Sequence, residues 1–443
     1  MSMDFTLKGH EYRYAVDQTV SAFHLEGTLV SSLSSAPVWT TATADYNGFR
    51  GICRCLTAEL DDSKAQKIVR KSVYKAALAS GMERPRWGSL TGVRPGKLMR
   101  KTGTVRNFME EYDVSPERAQ LAYEAMLFTE AAEQSLEPED VCLYLGIPFC
   151  PTRCAYCSFV SQSVEKSMKL IPPYLEALRR EIEAFDPGNS RIVSLYFGGG
   201  TPTTLSAPQL DELITVLEKK LDLSAVREFT VEAGRPDTIT PEKMQVLKRH
   251  GVTRVSVNPQ TMRDSVLEAI GRKHTAADVL QALQVVRDCG GFEVNMDLIA
   301  GLTADDFPGF RETMDQVLAL APENITVHTL ALKNGSEITR KGAELPSPEE
   351  VGRMLDYAYE KLREHGYRPY YLYRQKNMSG GFENTGWTLP GSENLYNICM
   401  MEEICPVFAF GSGGSSKYTQ DGKITRKVNP KYPLEYIEKY GQV

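Results

Sequence analysis

The chain has 443 residues, 42% hydrophobic and 24% charged, with a formal net charge of −6; such a chain can bury one large α/β core and one or two smaller ones, which excludes a disordered or fibrous protein. Its mean hydropathy is −0.31 and no run approaches 18 consecutive apolar residues, which excludes a transmembrane helix. The opening MSMDFTLKGHEYRYAV lacks the basic-then-apolar pattern of a secretory leader, so a cytoplasmic protein is expected.

Residues 1–138 carry short alternating stretches of strand character, such as EYRYAV and GICRCLTAEL, followed by helical segments around 62–80 and 115–135. This pattern predicts a separate N-terminal α+β accessory domain. Cys53 and Cys55 stand two apart in a strand and so share a face, where they are expected to pack in the core. From Lys64 to Arg106 there are twelve Lys and Arg against the single acid Glu83, a local charge of +11. Two readings stay open for it: a solvated helix face with its loop, or a docking surface for a polyanion.

From about residue 139 the rhythm becomes strand, turn, helix, six times over. VCLYLGI, IVSLYFG, EFTVEA, RVSVNP, EVNMDLIAG and ITVHTLAL are short apolar runs, and the segments between them have helical periodicity. Such alternation predicts parallel strands. Ser206 to Gln209 reads as a capping box ahead of Leu210, Leu213, Ile214, Leu217 and Leu221, and Thr240-Pro241 opens a helix that Gly251 ends. No dinucleotide fingerprint follows the first strand, so residues 139–345 are expected to form a parallel, partial βα barrel of about six units. A helix over SPEEVGRMLDYAYEKLREHGY, a strand over RPYYLYRQKN and a Gly-, Asn- and Tyr-rich remainder predict a small C-terminal lobe over 346–443.

Nine cysteines form an odd number, and three of them, Cys150, Cys154 and Cys157, lie too close together for a disulfide framework. A C-x3-C-x2-C array arises by chance in roughly 0.4% of chains of this composition. Structural zinc wants four ligands in a closed tetrahedron, whereas the four irons of a cubane iron–sulfur cluster each want one thiolate. Three cysteines therefore leave one iron open to the amine and carboxylate of a small molecule. Cys142, Cys289, Cys399 and Cys405 are expected to play no part in that cluster. The other polar candidates fall at the C-terminal ends of the strands, where parallel barrels keep their sites. Gly198-Gly199-Gly200-Thr201 follows the second strand and Glu232 lies on the third. Asn258 and Gln260 follow the fourth, Asp297 ends the fifth, and His328 lies in the sixth.

Tyr144-Leu-Gly-Ile-Pro-Phe precedes the cysteine array and Tyr156 stands just before its last member. With YFGGGTPTTL, TVEAGRPDTIT, NPQTM, IGRKH and MDLIAGLT, the sequence resembles the radical S-adenosylmethionine (SAM) superfamily, and within it the oxygen-independent coproporphyrinogen III oxidase group. WGSLTGVRPGK at 87–97 and the added N-terminal domain resemble the HemZ-type coproporphyrinogen dehydrogenases. The resemblance implies a 4Fe-4S cluster on Cys150, Cys154 and Cys157, with the Gly198–Thr201 loop holding the amino group of SAM and Tyr144 and Glu232 touching the cluster-bound SAM. Gln260, Arg272 and Asp297 would line the same cavity, around one SAM molecule or two. In two places the sequence departs from the oxidases: Gly146 stands where they carry histidine, and Phe159 where they often carry another cysteine.

The resemblance implies an oxidoreductase that turns propionates of coproporphyrinogen III into vinyl groups in haem biosynthesis, served by an electron donor such as a flavodoxin or ferredoxin. A monomer is expected, without membrane or nucleic-acid partners. The alternatives are a haem-carrying chaperone, or a radical SAM enzyme acting on another tetrapyrrole or on RNA.

Overall fold

The computed structural model describes residues 3–23, 25–157, 162–331, 336–342, 344–375, 378–420 and 423–441. Contacts divide it into two units: residues 1–123 with 374–383, and residues 124–373 with 384–443.

The first unit is an α+β layer. It contains β1 (Phe5–Lys8), α1 (Arg13–Phe23), β2 (Leu29–Ser35), β3 (Trp39–Tyr46), β4 (Phe49–Leu56), α2 (Asp62–Ala79), α3 (Pro95–Thr102) and α4 (Val105–Tyr112), and the start of α5 (Pro116–Gln134). The sheet runs in the order β1-β2-β3-β4, and α1 and α2 cover one face with Val16, Val20, Ile68, Val69 and Val73. EYRYAV corrects the sequence reading: from Arg13 it is helix, because Val16, Val20 and Phe23 continue at helical spacing and are buried together. Cys55 is buried and Cys53 packs against the same cluster. In the basic stretch Lys64 and Lys67 pair with Glu59 and Glu111, and Arg84 and Arg106 with Asp113 and Glu110 at 2.6 and 2.8 Å. Trp87 is buried and donates to Glu383 Oε2 at 2.5 Å, and Arg118 pairs with the other oxygen of that carboxylate at 2.6 Å.

The second unit begins with β5 (Asp140–Ile147), the short pair β6 (Phe149–Cys150) and β7 (Gln162–Ser163), α6 (Val164–Ser167) and α7 (Ile171–Ala184). The repeating part is β8 (Arg191–Gly199), α8 (Ala207–Lys220), β9 (Glu228–Glu232), α9 (Pro241–Arg249), β10 (Arg254–Ser256), α10 (Asp264–Ala269), α11 (Ala276–Cys289), β11 (Glu293–Ala300), α12 (Phe307–Ala319) and β12 (Asn324–Thr329). After it come α13 (Glu337–Lys341), α14 (Pro348–Glu364), β13 (Arg368–Arg374), β14 (Glu383–Thr388), α15 (Leu395–Glu402), β15 (Val407–Phe410), β16 (Ser415–Gln420), β17 (Lys423–Val428) and α16 (Pro433–Gly441).

All six repeat strands are parallel and neighbours in chain order, β5-β8-β9-β10-β11-β12. That monotonic order is that of a barrel wall, since a doubly wound sheet reverses its order. The wall is open among the described strands: β14 pairs antiparallel with β12 at one end and β15 parallel with β5 at the other. Helices cover it, and β5 and β8 are buried along nearly their whole length, so their sequences read as unbroken apolar runs. Ser206 and Gln209 make the capping box and Thr240 caps α9. Glu181, buried on α7, accepts from Tyr436 Oη at 2.5 Å, Asn429 Nδ2 at 2.6 Å and Gly411 N at 2.8 Å, fastening the C-terminal residues to the outer layer. No described helix is long and apolar enough to cross a membrane.

Candidate functional site

Cys150 closes β6, and Cys154 and Cys157 follow in a turn closed by Cys157 N donating to Cys154 O at 3.1 Å. All three are half-buried. The turn is pinned from two sides: Ala155 N donates to Ile270 O at 2.9 Å, and Ala155 O accepts from Glu337 N at 2.8 Å. Polar side chains meet the sulfurs. Thr201 Oγ1 donates to Cys150 Sγ at 3.5 Å and Arg235 Nη1 to Cys154 Sγ at 3.6 Å, while Arg235 Nη2 holds Thr152 Oγ1 at 2.8 Å. Arg272 is buried in a loop after α10. It donates to Asn258 O at 2.7 Å and to Tyr156 Oη at 3.1 Å. Burial works against its charge, but Tyr156 and Cys154 beside it more than offset burial and push the guanidinium above its ordinary value.

The glycine turn after β8 lies against this loop. Gly200 N donates to Ile147 O and Thr201 N to Phe149 O, both at 2.8 Å. A Cβ on Gly200 would stand 2.6 Å from Phe149 O, and Gly199 holds φ +101°, so both positions need glycine for close approach and for backbone conformation.

Inside the wall, Tyr144, Tyr196 and Tyr396 stack at centroid separations of 4.4 to 6.3 Å. Tyr196 Oη donates to Glu232 Oε1 at 2.7 Å. Burial, reinforced by the charge of Asp297, pushes Glu232 up to about 7 despite that bond. Asp297 goes the other way: burial raises it, but His328, Asn295 and Thr326 more than offset this and hold it below the ordinary carboxylate value. Its Oδ2 accepts from Asn258 Nδ2 at 2.8 Å and lies 3.8 Å from His328 Nε2, and its Oδ1 accepts from Asn295 at 2.8 Å. Two neighbouring carboxyls whose surroundings drive them apart suit one to carry a proton and the other a charge. Asp297 sits three residues before the end of β11, which corrects the expectation that it ends the strand. The strand continues because Leu298 to Ala300 stay paired with β12. Gln260 has φ +68°, a costly conformation for a residue with a Cβ, and is held there by Asp297 O at 2.9 Å and Ile299 N at 3.1 Å.

The structure thus brings Cys150, Cys154, Thr201 and Arg272 to the loop side, and Glu232, Tyr144, Gln260 and Asp297 to the interior side, with Gly198–Gly200 between them. Arg235, Tyr196 and Tyr396 were missed from sequence. Tyr196 was findable, since it lies two residues before Gly198 and shares its face of the strand. Around Gly146, Phe410 O and Ser412 O would lie 3.3 to 3.4 Å from a Cβ, so the chain beyond β15 fills the space beside it. Phe159 lies outside the described residues.

The donor set fits an iron–sulfur cluster. Three sulfurs come from one loop, and two buried arginines beside them supply positive charge against thiolates. Arg272 Nε is buried without a hydrogen-bond partner among the described residues, as are both ring nitrogens of His274, which burial and then Arg272 and Arg235 push down to about 3.

A radical SAM superfamily profile matches residues 144–314. The chain is 39% identical over 374 residues to the oxygen-independent coproporphyrinogen-III oxidase-like protein HemZ of Bacillus subtilis, covering 80% of this chain and 75% of that protein. It is 31% identical to the heme chaperone HemW of the same organism, covering 67% of this chain and 76% of that one. Among solved structures, the coproporphyrinogen III oxidase HemN from Escherichia coli, a radical SAM enzyme, superposes with a TM-score of 0.57 at 24% identity, over 70% of this chain and 71% of that chain.

Proposed function

The chain belongs to the radical SAM superfamily, in the coproporphyrinogen III oxidase-like group, and on that premise we propose that it catalyses the oxygen-independent oxidative decarboxylation of coproporphyrinogen III. Two propionate side chains would become vinyl groups, as one step of haem biosynthesis in the cytoplasm. The observation that carries the reading is the cysteine loop with Thr201 and Arg235 on its sulfurs, beside the glycine turn that leads to the half-buried Tyr196–Glu232 pair. Cys150, Cys154 and Cys157 would hold a 4Fe-4S cluster, which with SAM would supply a one-electron reduction of the sulfonium and thereby a 5′-deoxyadenosyl radical able to take hydrogen from an unactivated carbon.

The chain's own residues would do the rest. The amides of Gly200 and Thr201 are committed to the cysteine loop, so the turn's carbonyls are the groups left to accept from the ammonium of SAM. Ionised Glu232, oriented by Tyr196, accepts from ammonium or ribose hydroxyls. Asp297, held as a carboxylate by Asn258, Asn295 and His328, offers a second acceptor in the same cavity, where with Gln260 and Arg272 it would serve the first SAM or a second one. The stacked tyrosines give the cavity apolar faces that exclude water from a radical. We assign an accessory role to residues 1–138 and the catalytic role to the barrel of residues 139–345, whose sheet the strands of 346–443 extend at both ends. An electron donor of the flavodoxin or ferredoxin class would serve the cluster.

The test is anaerobic reconstitution followed by incubation with SAM, a reductant and coproporphyrinogen III. Protoporphyrinogen IX formation with matching 5′-deoxyadenosine supports the proposal. The 31% identity to a heme chaperone favours one second reading. Stoichiometric haem binding with no decarboxylation would replace the proposed activity by haem delivery.

A further inference from the structure

Three cysteines outside the cluster loop converge at the other end of β5. Cys142 lies on β5, Cys399 on α15, and Cys405 in the link that leads into β15. Their sulfurs all lie within 4.8 Å of one another, with Cys142 Sγ 3.9 Å from Cys405 Sγ, and the residues are 0%, 0% and 3% exposed. This group is distinct from the cluster loop, because Cys142 is five residues of extended strand from Ile147, about 16 Å, before the loop even begins.

Isolated buried cysteines are ordinary small hydrophobes. Three brought together from three elements form a donor set whose dimensions can be compared with those of a metal site. With metal–sulfur bonds of about 2.3 Å, three sulfurs in a plane around one ion stand about 4.0 Å apart, and the Cys142–Cys405 separation of 3.9 Å matches. Among the described residues no carboxylate or imidazole belongs to the group. The thioether of neighbouring Met400 is engaged elsewhere, accepting from Lys417 Nζ at 2.9 Å. The surrounding side chains are largely apolar, among them Tyr396, Val407, Leu136, Leu395 and Ile404, and Cys405 Sγ also donates to Asp140 O at 3.2 Å. Zinc would want a fourth ligand, and hard cations want oxygen, whereas three soft sulfurs in an apolar shell suit a low-coordinate d10 ion.

We propose that Cys142, Cys399 and Cys405 form a second metal site, a three-sulfur site for a soft d10 ion of the copper(I) class, which ties α15 and the start of β15 to β5. Binding exchanges thiol protons for the metal ion. The protons go to solvent and no electron moves.

The test uses the full chain with Cys150, Cys154 and Cys157 replaced by serine, so that no loop thiol competes, and copper(I) presented anaerobically against a competing chelator. One copper per chain is expected to be retained, with X-ray absorption reporting three sulfur neighbours at about 2.2–2.3 Å. Adding Cys405→Ser or Cys142→Val should weaken retention at least tenfold, and adding Cys289→Ser should not change it. Loss of all copper to the chelator, a two-sulfur signature, or retention unaffected by Cys405→Ser would each overturn the proposal. The absorption measurement needs no core substitution, so it decides even where a core variant fails to fold. No turnover is read, so neither result bears on the proposed radical chemistry.

Discussion

Tyr196 donates its phenol hydrogen to Glu232 Oε1 across 2.7 Å, from β8 to the adjacent strand β9. A hydrogen bond to the charged form favours ionisation, and it works here against a burial that carries Glu232 up to about 7. SAM affinity should therefore rise between pH 6 and pH 8 as Glu232 ionises. Tyr196→Phe should move the midpoint to higher pH. Glu232→Gln should remove this pH dependence and weaken binding by about 1.5–3 kcal/mol while the cluster spectrum stays intact. Equilibrium dialysis of labelled SAM at a series of pH values checks all three, and a pH-independent wild-type affinity would remove Glu232 from SAM binding.

The same carboxyl gives a stability signature. Its folded value lies above its unfolded one, so between about 4.5 and 7 the folded chain holds a proton that the unfolded chain has released. The contribution of Glu232 is thus full below about 4.5 and is lost as pH rises through about 7. Wild-type protein without cluster should lose melting temperature over that interval more steeply than Glu232→Gln, measured by thermal unfolding in matched buffers.

Replacing Cys150, Cys154 or Cys157 singly with alanine should abolish the broad visible absorption of the reconstituted protein together with SAM cleavage, since a cubane held by two thiolates is poorly retained. Alanine at Cys142, Cys289, Cys399 or Cys405 should preserve that absorption. Because the buried sulfurs of Cys142, Cys399 and Cys405 gather at the far end of β5, bleaching by Cys399→Ala or Cys405→Ala with an unchanged circular dichroism spectrum would contradict a cluster held by the loop cysteines alone.

Arg235 donates to Cys154 Sγ from a buried position. Reduction adds negative charge that this guanidinium stabilises, so Arg235→Ala should lower the cluster's reduction potential by on the order of tens of millivolts, with Arg235→Lys falling between. Redox titration followed by electron paramagnetic resonance would show it, and an unmoved potential would leave Arg235 with only the shaping of the loop through Thr152.

In the N-terminal unit the Arg118–Glu383 pair is almost fully buried, and the same carboxylate takes the Trp87 indole. Arg118→Ala strands a buried charge and should cost about 3–5 kcal/mol. Arg118→Met with Glu383→Gln, which keeps an acceptor for Trp87, should cost clearly less. Urea unfolding monitored by tryptophan fluorescence compares them.

The barrel wall was legible because each strand of a covered parallel sheet is an apolar run and each helix between carries its own caps, as Ser206 and Thr240 do. The cysteine loop was legible because its ligands are local in sequence. Arg235 and Tyr396 were not, since what makes them matter is proximity across 81 residues to Cys154 and across 200 residues to Tyr196. Local pattern does not encode such separations. The helical start at Arg13 was hidden for a related reason: EYRYAV alternates over six residues, and only the later Val20 and Phe23 reveal the longer period. Cys142, Cys399 and Cys405 look unremarkable along the chain, because their meeting depends on where β15 pairs.

That pairing also sets a timetable. Val407 to Phe410 lie beside Cys142 to Leu145, so one edge of β5 stays open until roughly 260 further residues have been made, on the order of 13–50 s at 5–20 residues per second. During that interval a nascent chain presents an unpaired apolar strand, the kind of edge that invites aggregation. A ribosome stalled or a gene truncated before residue 407 would leave an adhesive fragment with its cysteine loop already synthesised, and overproduction yield should depend on how quickly the residues between β5 and β15 follow.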